Sequence, residues 1–180
     1  MLGNWRCLRL RSSTAGPLAV AIALGLGLAT PSTVKAVEVV GFKMDVVPGT
    51  IVIRTSERRL YFVLGEGKAL RYTVGVGRAG RQWFGSSFIE AKFLRPNWAP
   101  PAEIRRDRPD LPALVASGSP ANPMGAAAMT LAGGDYAIHG TNAPDSIGGF
   151  VSYGCIRMLN SDITDLFARV GLGTPVLVTK

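Results

Sequence analysis

Histidine occurs once in this chain and cysteine twice, against 22 glycines and 12 prolines. One histidine and two cysteines fall short of the three or four protein ligands that zinc usually takes, so no metal is expected, and the cysteine chemistry read below calls for no organic cofactor. Cys7 lies ahead of an apolar leader, which leaves Cys155 without a partner for a disulfide framework in residues 37–180. Acidic side chains are also in the minority, 12 against 20 Lys and Arg. That positive balance suits an anionic cell envelope but is equally ordinary for an exported protein. No run interleaves basic and aromatic residues, which argues against nucleic acid as a partner.

Long apolar runs are missing too. The longest, from Leu18 to Ala29, is short of the roughly 20 residues that span a bilayer. Arg6, Arg9 and Arg11 precede it, and Val34 and Ala36 follow as the small residues a signal peptidase accepts. Residues 1–36 therefore read as a secretory signal, with an uncleaved N-terminal anchor as the alternative. Export to the periplasm or cell envelope is the expected destination. Residues 37–180 are enough for one domain around one core, and without Arg6, Arg9, Arg11 and Lys35 the formal charge drops from +8 to about +4.

A lone thiol in an oxidising compartment needs a reason. Cys155 is either a small buried hydrophobe or a nucleophile. His139 favours the second reading, because an imidazole is the side chain best suited to take a thiol proton near neutral pH. Gly140, Pro144, Gly148, Gly149 and Gly154 lie between or beside the two, so the intervening chain can bend and bring them together. Arg157 would favour the thiolate or hold a substrate carboxylate, with a surface ion pair as the bland competitor. The amides of Gly154 and Cys155 are candidate donors to an oxyanion. The group orienting His139 is either Asn142, three residues on, or a backbone carbonyl.

Apolar and β-branched runs from Thr50 to Val76 predict a three-stranded meander, with LYFVL central and covered on both faces. Another strand is expected over 88–94, short strands over 136–139 and 175–179, and a long irregular excursion between Pro96 and Gly125, where six prolines preclude a long helix. Trp98 in that excursion offers an apolar platform for substrate, or plain core packing. One helix is expected, capped by Ser161, carrying Ile163, Leu166, Phe167 and Val170 on its buried face and ended by Gly171.

His139, Gly140, Ser152, Gly154, Cys155 and Arg157 spell the order HG, spacer, S-x-G-C-x-R, which resembles the signature of the L,D-transpeptidases with a YkuD-type catalytic domain. The likeness extends through residues 51–64, NWAPP at 97–101, NPMG at 122–125 and GTPV at 173–176. It implies a mainly β fold, a sandwich of mixed sheets with one main helix and a long substrate loop. It also implies a Cys155 nucleophile and a His139 base and acid. Ser152, Gly154, Arg157, Gly140 and Trp98 would be oxyanion or substrate-binding residues.

The implied partners are peptidoglycan stem peptides. Cys155 would attack the third residue of a tetrapeptide stem, expel D-alanine and pass the acyl group to an amine of another stem, or of an envelope lipoprotein. The alternatives are an L,D-carboxypeptidase on the same stem and a non-catalytic wall-binding protein of the same fold. One departure stands out. Where many members carry a Pro-Thr-Pro-x-Gly run, this chain has Gln82, Trp83, Phe84, Gly85, Ser86 and Ser87, and the cleft wall is expected to differ there.

Overall fold

The computed structural model describes residues 37–180; the leader read at 1–36 lies outside them. The described chain runs β1 (Glu38–Gly41), β2 (Ile51–Arg54), β3 (Arg59–Gly65), β4 (Lys68–Thr73), β5 (Val76–Gly77), β6 (Gly85–Leu94), α1 (Ala102–Asp107), β7 (Ala127–Leu131), β8 (Ala137–His139), β9 (Phe150–Ser152), β10 (Ile156–Arg157), α2 (Asn160–Arg169) and β11 (Pro175–Thr179). A nine-stranded sheet has the order β1-β4-β3-β2-β11-β6-β7-β8-β10, and β5 pairs with β9 separately. Pairing is mixed: β2–β11, β8–β10 and β5–β9 are parallel and the rest antiparallel.

The meander read from Thr50 to Val76 is β2, β3 and β4. Glu66 and Gly67 join β3 to β4 with φ of 51° and 68°, the two positive values a tight hairpin turn needs to match strand twist. On β3, Leu60 faces one apolar cluster with Phe62 packed against it, while Tyr61 and Val63 face another. Both faces of the strand are thus covered, as its unbroken apolar run requires; only Leu64, at its end, reaches solvent.

Strand β6 starts at Gly85, three residues earlier than expected, because its first half has a partner that sequence does not reveal. Residues Gly85 to Phe88 pair with β11, and Ile89 to Leu94 pair with β7. This one strand therefore hands the sheet from one half to the other. Ile51, Ile53 and Leu60 of the first half share a core cluster with Met129, Leu131, Ile138 and Ile156 of the second. The sheet is folded into a two-layered β-sandwich around that core, and Ile163 and Leu166 of α2 are fully buried in it. Each contributes about 1.5–3 kcal/mol by leaving water.

The excursion after β6 contains only the six-residue α1, which begins directly after Pro101. Trp98 and Val115 exchange two backbone hydrogen bonds, of 2.9 and 2.7 Å, closing the neck of a loop that carries α1. The expected Ser161 cap is not formed. The residue before α2 is Leu159, with no side-chain cap bond, and the Ser161 hydroxyl, inside the first turn, turns to Asp162 at 3.2 Å. At the other end Val170 is the C-cap in extended conformation, and Gly171 lies just beyond.

Asn160 has a different task, one the sequence did not signal. Its Oδ1 accepts the amides of Ala126 at 3.0 Å and Thr141 at 3.1 Å, and its Nδ2 donates to the Thr141 carbonyl at 2.9 Å. The start of α2 is thereby tied to the chain on either side of β7 and β8. Replacing Asn160 with Ala strands two backbone N–H groups, so we expect a loss of about 1–3 kcal/mol in urea unfolding. An unchanged midpoint would show that water substitutes for the amide.

Candidate active site

The parallel register of β8 and β10 builds the site. Ile138 lies opposite Ile156 and His139 opposite Arg157. Side chains alternate along a strand, so the isoleucines point into the core, where both are essentially fully buried. His139 and Arg157, with Ala137 and Cys155 one step earlier, share the opposite face. The ladder continues beyond the strands, where the Met158 amide donates to the His139 carbonyl at 2.8 Å.

That face floors a cleft of about 690 Å³ whose walls include Trp98, Ser152, Tyr153, Cys155, His139 and Arg157. Sequence separation has been erased here. The roof is the excursion loop, fastened above Cys155 by a polar clasp. The Tyr153 hydroxyl donates to Asp107 Oδ2 of α1 at 2.7 Å, Arg78 reaches the same carboxylate at 3.0 Å, and Arg78 also lies over the Tyr153 ring at 4.0 Å. Arg81 pairs with Glu103 of the same helix.

His139 is buried, and its Nδ1 lies 2.7 Å from the Gly140 carbonyl. A carbonyl only accepts, so Nδ1 carries the proton and Nε2 of the neutral ring keeps its lone pair. Asn142 does not orient the ring. Its amide donates to the Pro120 carbonyl at 3.1 Å, and it lines a separate groove. Burial, and then the positive charge of Arg157, lower the His139 pKa to about 4 against opposing contributions from the Gly140 and Pro123 carbonyls.

Cys155 is half-buried, and its thiol is 4.0 Å from the Asp135 carbonyl. Burial pushes the thiol up, while the Ala137 amide and Arg157 pull the other way. The resting pair is therefore a neutral thiol and a neutral imidazole rather than a preformed ion pair. Arg157 is half-buried in the cleft, and no carboxylate among the described residues pairs with it. Burial lowers its pKa.

The glycines and the serine of the signature are structural in a way spacing alone does not reveal. A Cβ on Gly140 would run into Asn160 Oδ1, and would lie 2.9 Å from the Ala126 amide and 3.1 Å from the Met124 carbonyl. Gly140 is thus a packing junction that lends its carbonyl to His139. Gly154 has φ of 125°, and a Cβ there would strike the Tyr136 ring. Ser152 is buried; its hydroxyl donates to the Cys155 carbonyl at 2.6 Å and accepts the Gly154 amide at 3.0 Å. The Gly154 N–H, expected as an oxyanion donor, is consequently already spent within the turn. Among the described residues the Cys155 N–H has no such partner.

Two outcomes follow from this geometry. In the unfolded chain His139 protonates near 6.5, in the fold only near 4. Acidification feeds protons to the unfolded state first, so stability fully present above 6.5 falls as pH drops towards 4, by up to about 3 kcal/mol. Urea titrations of the wild type and His139→Gln over that window should diverge, and parallel curves would refute a buried neutral ring. Separately, Tyr153→Phe removes one bond of the clasp, worth about 1 kcal/mol, and should speed amide hydrogen exchange across residues 99–114. Unaltered exchange would mean that Arg78 and Arg81 hold the roof unaided.

The family model for the L,D-transpeptidase catalytic domain, YkuD, matches residues 48–178. "Probable L,D-transpeptidase ErfK/SrfK" of Escherichia coli is 41% identical over 143 residues, covering 74% of this chain and 45% of that protein. The chain thus spans about half the length of the curated relatives it matches. Among solved structures, an L,D-transpeptidase of Enterococcus faecium superposes with a TM-score of 0.59 at 18% identity, covering 74% of this chain and 50% of that one. L,D-transpeptidase 3 of Mycobacterium tuberculosis, solved with a faropenem-derived adduct, gives 0.55 at 16% identity, covering 73% and 60%. Those two share the fold, and with the family match over most of residues 37–180 they make this chain a member of the YkuD-type L,D-transpeptidase family.

Proposed function

We propose that the chain is a cysteine L,D-transpeptidase acting on peptidoglycan stem peptides after export to the cell envelope. The observation that carries the reading is the convergence in one cleft of Cys155, a neutral His139 pinned by the Gly140 carbonyl, and the unpaired Arg157. Such a site suits anionic peptide donors and thioester chemistry.

In the first half-reaction the tetrapeptide stem lies in the cleft, with a carboxylate on Arg157 and an apolar segment against Trp98. His139 Nε2 takes the thiol proton as the sulfur bonds to the carbonyl carbon of the third, diamino acid residue. The resulting oxyanion accepts the Cys155 N–H. Collapse breaks the C–N bond, His139 returns its proton to the leaving nitrogen, and D-alanine departs, leaving a thioester. In the second half-reaction an amine of another stem, or of an envelope lipoprotein, attacks the thioester and gives its proton to His139. The C–S bond then breaks, regenerating the thiol and completing a 3→3 cross-link or a protein anchor. A neutral resting pair suits this sequence, because the thiol ionises only once substrate is in place and a lone thiolate is not left open to oxidation.

Incubation of residues 37–180 with a disaccharide-tetrapeptide and an amine acceptor should release D-alanine and give cross-linked product. A penem should leave a mass adduct on Cys155. Cys155→Ala should show neither while keeping its fold. Tripeptide without cross-link would replace the reading with an L,D-carboxypeptidase, and an unmodified wild-type thiol would leave a wall-binding protein.

A further inference from the structure

The segment that departs from the family's proline-rich run contacts the turn bearing the nucleophile. Trp83 is partly buried against the core cluster. Its ring stacks on Tyr136, with centroids 5.1 Å apart and planes within 3° of parallel. Its indole N–H donates to the Gly154 carbonyl at 3.0 Å. Tyr136 is the same ring that a side chain on Gly154 would strike. One aromatic pair therefore supports Gly154 from below and holds its carbonyl.

That carbonyl belongs to the same planar peptide unit as the Cys155 N–H. Among the described residues no peptide bond is cis, so the Gly154 C=O and the Cys155 N–H point in opposite directions. Fixing one fixes the other. With the Gly154 N–H committed to Ser152 Oγ, the Cys155 N–H is a backbone donor of this turn still open to an oxyanion. We infer that Trp83 is a positioning residue that aims the Cys155 N–H at the developing oxyanion by holding the far end of its peptide unit. This inference rests on the acyl-transfer reading above. It also gives the altered 82–87 segment a role, since the indole of Trp83 fixes the turn.

The test compares two reactions of the same sulfur. Acylation by a tetrapeptide or a penem passes through an oxyanion. Alkylation by iodoacetamide forms an S–C bond at a saturated carbon, expels iodide and develops no oxyanion, so it reports only the thiol and the integrity of its surroundings. Trp83→Phe keeps a ring for the stack on Tyr136 and removes the N–H. We expect its acylation rate constant to fall about 10- to 100-fold, less than the roughly 100- to 1,000-fold that follows outright loss of an oxyanion donor, because the Cys155 N–H remains and only its aim is lost. KM should stay close to that of the wild type, and the pH profile of alkylation should be unchanged.

Trp83→Leu, which removes stack and donor together, should fall at least as far in acylation. Wild-type acylation by Trp83→Phe would overturn the inference and leave the proposed function standing. Equal losses in acylation and alkylation would also overturn it, since they mark a general collapse of the turn. A wild-type protein that is alkylated but never acylated would refute the proposed function itself, and this role with it.

Discussion

Everything at the site depends on two short parallel strands lying side by side in register. Strands β8 and β10 share few residues, yet their pairing decides which side chains face the core and which face the cleft. A slip of one residue would send His139 and Arg157 inward and bring Ile138 and Ile156 to the surface, because the side-chain period of a strand is two. Burial of those isoleucines resists the slip. The core and the catalytic face are thus two readings of one register, and the hydrophobic effect on one side holds the chemistry on the other.

Parallel neighbours cannot be joined by a tight turn, so the chain between His139 and Cys155 must leave the sheet and return. It does so through a 3₁₀ turn at Pro144–Ser146 and strand β9, which pairs with β5. The return ends in a turn crowded with fixed groups: the Ser152 hydroxyl bridging Gly154 and Cys155, the Gly154 backbone flat against Tyr136, and the indole of Trp83 on the Gly154 carbonyl. Such crowding holds the Cys155 backbone in one arrangement, the kind of pre-organisation that acyl transfer at this thiol would require.

The electrostatics follow from the same burial. His139 is shut off from water and Cys155 is partly so, and both neutral forms are favoured. Arg157 works in both directions, since it helps a thiolate form and opposes an imidazolium. An incoming carboxylate that neutralises it would ease proton uptake by His139.

Much of this was open to a reader of the sequence. The meander, the apolar coverage of β3 and the irregular proline-rich excursion follow from local pattern, because strand alternation and proline's missing N–H act within a few residues. The rarity of His139 and Cys155 and the ordered signature around them pointed to one shared location, and both line the same cleft. Tertiary structure decided what depends on distant partners. It lengthened β6 to meet β11, replaced the Ser161 cap with an Asn160 clamp, gave His139 the Gly140 carbonyl instead of Asn142, and spent the Gly154 amide on Ser152. Residue type and spacing state which groups a segment carries. Only the fold brings groups from separate segments within hydrogen-bond reach, and so decides which donors and acceptors are already taken before a substrate arrives.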